Sequence, residues 1–154
     1  RGTTALVDIE TEDTAVVTLK FASGALGIIE ATTATRPKDL EGSISILGEK
    51  GTVEIGGFAV NELKTWAFEP EQEGDQDVIA NFSVNPPSVY GFGHKAYYEH
   101  VVESINNNTP QLVDGLQGRR SLELISAIYE SIETGREVFL RFKPKHCRLG
   151  RPLS

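Results

Sequence analysis

The chain of 154 residues contains no methionine, a single cysteine at Cys147 and a single tryptophan at Trp66. One cysteine excludes an internal disulfide and fits a reducing compartment, so a cytoplasmic location is expected. An intact translation product starts with methionine, and its removal normally requires a small neighbour. Arg1 is not small, so the chain is expected to be a piece of a longer protein. No apolar run approaches the roughly 18–20 residues of a membrane span, and no secretory leader pattern follows Arg1. A net charge of −7 leaves no basic surface for a phosphate backbone, which argues against nucleic acid as a partner. Neither a Gly-x-Gly-x-x-Gly turn after a strand nor a Walker loop occurs.

The remaining composition, 39% hydrophobic and 24% charged, suits one soluble domain with a substantial core. The first half reads as strands. Thr14–Phe21 alternates, Ser23-Gly24 marks a turn, and Ala25–Thr33 is the returning strand. Gly27 within it signals a bulge or a close backbone approach. A polar segment with Arg36-Pro37 follows. Ser43–Leu47 and Thr52–Ile55 form a second hairpin around Gly48-Glu49-Lys50-Gly51, and short strands are expected at Phe58–Val60 and Lys64–Phe68. Glu69–Asp77 reads as an acidic loop and Val78–Gly93 as an irregular connection.

The second half reads as helices. His94–Asn107 carries His94, Tyr97, Tyr98, Val101, Val102 and Ile105 on one stripe. A second helix spans about Leu116–Thr134, with Asp114 as N-cap and Gly135 just past its end. Val138–Phe142 reads as a final strand, and residues 143–154 as a basic, loosely held tail. Strands followed by helices predict an α+β fold over residues 1–142: an open, mostly antiparallel sheet with helices on one face. The other face is then free for a second copy of the chain, giving a homodimer or homotetramer.

Few residues offer chemistry. His94 and His100 fall on different helix faces, and His146-Cys147 adjoin in the tail, so no metal site is expected. The acidic loop lacks the oxygen spacing of a calcium loop. Tyr90, His94, Tyr97 and Tyr98 form the best constellation: imidazole and phenol groups hydrogen-bond sugar hydroxyls, and aromatic faces cover a sugar's C–H surface. The alternative is that the tyrosines pack on the sheet and His94 caps the helix. Arg36 could bind a phosphate or carboxylate, or be a solvated loop arginine. Trp66 could stack on a ring or pack in the sheet. Arg119-Arg120, near a helix start where positive charge is unfavourable, hints at a partner carboxylate.

Four segments in order resemble the C-terminal domain of the GFO/IDH/MocA oxidoreductases: EDTAVVTLKFASGALGIIEAT (Glu12 to Thr32), SISILGEKGTVEI (Ser43 to Ile55), GHKAYYEHVVESI (Gly93 to Ile105) and QLVDGLQGRRSLELISAIYESIETGREVFL (Gln111 to Leu140). The Gly-His-x-x-Tyr-Tyr version is similar to that of members acting on nucleotide-linked amino sugars, the UDP-N-acetylglucosaminuronate-type dehydrogenases. The resemblance implies that NAD(P) is held by an N-terminal Rossmann domain absent from this chain, with no cofactor bound here. It implies that the family's Glu-Lys-Pro lysine and Asp-x-x-x-His histidine also lie outside it; Glu49-Lys50 precedes Gly51 and is not that motif. No catalytic residue is therefore expected. Arg36, His94, Tyr97 and Tyr98 are the candidate substrate contacts, for a sugar or nucleotide sugar. The competing reading is a non-enzymatic oligomerisation or carbohydrate-binding module.

Overall fold

The structure is a computed structural model and describes residues 1–140. In chain order its elements are β1 (Gly2–Thr3), β2 (Thr14–Lys20), β3 (Leu26–Thr32), β4 (Ile44–Gly48), β5 (Gly51–Gly56), β6 (Glu62–Phe68), α1 (Asp75–Phe82), α2 (Gly93–Asn107) and α3 (Gly115–Thr134). The α+β class and the antiparallel pairing agree with the sequence. The strands divide into two three-stranded ladders, β1-β2-β3 and β4-β5-β6. The described residues form two compact units: residues 1–34 with 113–140, and residues 35–112.

In the first unit, alternation drives the β2–β3 hairpin. Its register runs from Thr14↔Thr32 to Lys20↔Leu26, without a bulge at Gly27. Val17, Leu19 and Ile29 share the half-buried face, whereas Val16, Leu26 and Ile28 share the exposed one. The short β1 carries no periodicity that could reveal it and pairs with β2 through Gly2↔Ala15. Asp13 holds the loop between them. Its carboxylate accepts N–H bonds from Ala5 at 2.9 Å and from Leu6 and Val7 at 2.7 Å, and the residue is 2% exposed.

Local chemistry sets the ends of α3 as expected. Asp114 accepts from the Gln117 amide at 2.9 Å, and Gly135, at φ 66, donates to the Ser131 carbonyl at 2.9 Å. A side chain at φ 66 would be strained, which suits glycine there. The Tyr129 hydroxyl donates to Glu12 at 2.7 Å, fastening α3 to the approach to β2. Arg119 finds its carboxylate one turn on, at Glu123, 3.7 Å away. The strand expected at Val138–Phe142 is not formed over residues 138–140; its last two residues, and the tail, lie outside the described residues.

In the second unit, β4 and β5 meet around the two-residue turn Glu49-Lys50, and β5–β6 carries a register shift at Glu54/Ile55. The strand expected at Phe58–Val60 is a turn instead. Since β5 pairs with β6, the chain must reverse there; Val60 takes φ 53 and donates to the Gly57 carbonyl at 3.1 Å. Val78–Phe82, expected to be irregular, belongs to α1, which lies along β6. Trp66 Nε1 donates to Asp75 at 2.8 Å, and the same carboxylate accepts the Gln72 amide at 2.7 Å. Those two bonds, Trp66 first, hold the Asp75 carboxyl below its ordinary pKa. Trp66 also meets the Phe68 ring at 4.9 Å, so it packs rather than awaits a ligand.

Candidate substrate-contact site

All four sequence-derived candidates fall in the second unit. Three of them, His94, Tyr97 and Tyr98, occupy the first two turns of α2, which opens after Tyr90 and Gly91. A side chain at position i of a helix meets the residue at i+4, and that spacing sets the first pair. His94 Nδ1 donates to the Tyr90 carbonyl at 2.9 Å, and the two rings meet edge to face at 5.9 Å. A neutral imidazole that donates from Nδ1 keeps an acceptor at Nε2. That nitrogen has no hydrogen-bond partner among the described residues.

Tyr97 and Tyr98 form the second pair, with ring centroids 6.3 Å apart and planes tilted by 59°. They are 43% and 66% exposed, and Val102 and Ile105 continue the exposed surface along α2. The expected apolar stripe therefore faces largely outward. The helix's one buried residue is Ser104, two turns after Tyr97. Packing on the sheet, the alternative reading of the tyrosines, does not describe Tyr98 in this unit.

Arg36 stands apart. Its Nη1 donates to the neighbouring Thr35 carbonyl at 2.8 Å, its side chain is exposed, and it makes no ion pair among the described residues. The segment carrying it is fastened at its far end by a clasp that sequence spacing does not reveal. Glu41 accepts the Gly57 amide at 2.7 Å through one oxygen and binds Lys64 through the other. The Lys64 ammonium, then the Gly57 amide, lowers the Glu41 pKa, and Glu41 raises that of Lys64.

The arrangement offers one free imidazole acceptor, two phenols, a guanidinium and aromatic faces. These groups bind and orient. No three His, Cys, Asp or Glu side chains converge among the described residues. No helix there is long and apolar enough to cross a membrane. Every strand pair among the described residues is antiparallel.

Comparison with known proteins gives a consistent result. A family model described as "Oxidoreductase family, C-terminal alpha/beta domain", that of GFO/IDH/MocA, matches residues 3–140. The crystal structure of the WlbA dehydrogenase from Bordetella pertussis, in complex with NADH and UDP-GlcNAcA, is 44% identical with a TM-score of 0.80, over 88% of this chain and 39% of that one. The WlbA dehydrogenase from Chromobacterium violaceum, with the same two ligands, is 41% identical with a TM-score of 0.77, over 92% and 39%. A myo-inositol 2-dehydrogenase from Thermotoga maritima is 29% identical over 134 residues, 83% of this chain and 36% of its own length. The chain thus spans well under half the length of each relative.

Proposed function

This chain belongs to the GFO/IDH/MocA oxidoreductases, as their C-terminal α/β domain, and from that premise we propose that it supplies the substrate-side contacts of an NAD-dependent nucleotide-sugar dehydrogenase. The substrate class is a nucleotide-linked amino-sugar uronate such as UDP-GlcNAcA. The observation that carries this reading is the likeness, at 44% identity over 88% of the chain, to a dehydrogenase holding NADH and UDP-GlcNAcA. The exposed aromatic start of α2 supports it.

Each candidate residue has a chemical role on this reading. His94 Nε2 accepts a sugar hydroxyl, the Tyr97 and Tyr98 phenols hydrogen-bond the polar rim, and their rings cover apolar sugar faces. Arg36 pairs with the diphosphate or the uronate carboxylate. NAD supplies hydride exchange when bound; its holding and the proton transfer belong to residues outside those described. The chain's second role is self-association, through the exposed face of β2 and β3 that Val16, Leu26 and Ile28 line.

Titration calorimetry tests the division of labour. UDP-GlcNAcA gives saturable heat with the chain, and NADH gives none. Micromolar binding of NADH, or no saturable heat from the nucleotide sugar at millimolar concentration, overturns the proposal.

A further inference from the structure

α2 ends at Asn108, which adopts φ 52, and the chain folds back along the helix. The Thr109 amide donates to the Ser104 carbonyl at 2.9 Å. Three residues later the Leu112 amide donates to Nε2 of His100, also at 2.9 Å and across twelve positions of sequence. The Ser104 hydroxyl lies 3.4 Å from that same nitrogen, and Ser104 is 2% exposed.

A backbone amide has only a proton to give, so Nε2 must present its lone pair. The ring is then neutral with its proton on Nδ1. An imidazolium has no lone pair to offer. Once protonated, Nε2–H and the Leu112 N–H become two donors facing each other, and their contact is repulsive. The adjacent Ser104 hydroxyl can accept from the new N–H, so the ring has a second partner ready. Nothing else charged is engaged: residues 109–112 carry no titratable side chain, Tyr97, Glu99 and Glu103 are its neighbours on α2, and no ion pair with His100 occurs among the described residues.

We infer that His100 is a pH-sensitive latch on the segment that follows α2. Neutral, it accepts the Leu112 amide; protonated, it exchanges that amide for the Ser104 hydroxyl and releases residues 109–112. This inference is independent of the substrate reading, since it uses none of the candidate contacts.

Nuclear magnetic resonance of the isotope-labelled chain, from pH 8 to pH 5, tests it in the range where imidazoles take up a proton. At the upper end the His100 ring shows the Nδ1–H tautomer. As the His100 ring titrates, the Leu112 amide resonance moves with the same midpoint. Exchange protection of that amide, corrected for intrinsic rates, falls by about tenfold or more. His100→Gln retains an acceptor that does not titrate, so Leu112 stays protected across the range. His100→Phe has no acceptor and loses the protection throughout. An Nε2–H tautomer at pH 8, a Leu112 amide unmoved through the His100 titration, or a pH response retained in His100→Gln overturns the inference. Should His100→Phe fail to fold, the native titration and the Gln variant decide.

Discussion

Gly51 opens β5 where two neighbours leave no room for a side chain. A Cβ there would sit 2.3 and 2.7 Å from two carbons of the Phe68 ring and 2.5 Å from the Ala67 carbonyl oxygen. The ring is an obstacle that can turn aside, at the expense of its packing on Trp66 at 4.9 Å. The carbonyl cannot. It belongs to β6, paired with β5 through Thr52↔Ala67, so relief requires the two strands to part. Overpacking costs about 1–3 kcal/mol, against which the lower chain entropy of alanine returns about 0.5–1 kcal/mol. One obstacle is backbone, so the upper part of that range applies. Gly51→Ala is expected to destabilise the chain by about 2 kcal/mol, lowering Tm by roughly 4–8 °C. Urea unfolding followed by the fluorescence of the lone Trp66 measures it. In a Phe68→Ala background Gly51→Ala costs less than in the native chain but still destabilises, because the carbonyl stays. A Gly51→Ala midpoint equal to that of the native chain, with an unchanged urea slope, refutes the reasoning.

Gly118, in α3, is the opposite case: a Cβ there meets nothing within 4 Å, so Gly118→Ala stabilises by up to about 1 kcal/mol in the same urea assay. Asp114→Ala removes the N-cap of α3 and costs about 1 kcal/mol, read from the thermal midpoint. The Asp13 carboxyl is held far below its ordinary value of 3.8 by the amides of Leu6, Val7 and Ala5. The unfolded chain therefore takes up that proton first as pH falls. The stability Asp13 confers is complete above that unfolded value and declines as pH drops below it. Urea titrations at a series of acid pH values are expected to show a flatter acid limb in Asp13→Asn. Sedimentation velocity should show concentration-dependent self-association that Ile28→Glu weakens, since Ile28 is 71% exposed on the apolar face of β3; a strict monomer at high concentration contradicts it.

Elements set by local chemistry were legible in the sequence. The β2–β3 hairpin follows from strict alternation, and α3 from an aspartate before and a glycine after an apolar stripe. Elements set by distant partners were not. β1 is two residues long and owes its place to pairing with β2, beside the loop that Asp13 holds. The acidic run from Glu69 hides α1, whose first turn depends on Trp66 reaching Asp75 from β6. Phe58–Val60 has strand-forming residues but sits where β5 must return as β6, and that constraint overrides propensity. At the candidate site, the His94–Tyr90 pair could be read from its spacing of four. The clasp of Glu41 on Gly57 and Lys64 could not, because its members lie 16 and 23 positions apart. Helical periodicity found the apolar stripe of α2 but not its direction, since a stripe buried by a neighbour and one left open have the same spacing.

The central claim, that the start of α2 and the Arg36 segment receive a nucleotide sugar, is tested most directly by titrating the labelled chain with UDP-GlcNAcA and mapping its amide shifts. Saturable changes clustered at Arg36, Tyr90, His94, Tyr97 and Tyr98, and absent from His94→Ala/Tyr98→Ala, are the predicted result. Changes confined to other surfaces, such as α3, or no changes at saturating ligand, contradict it.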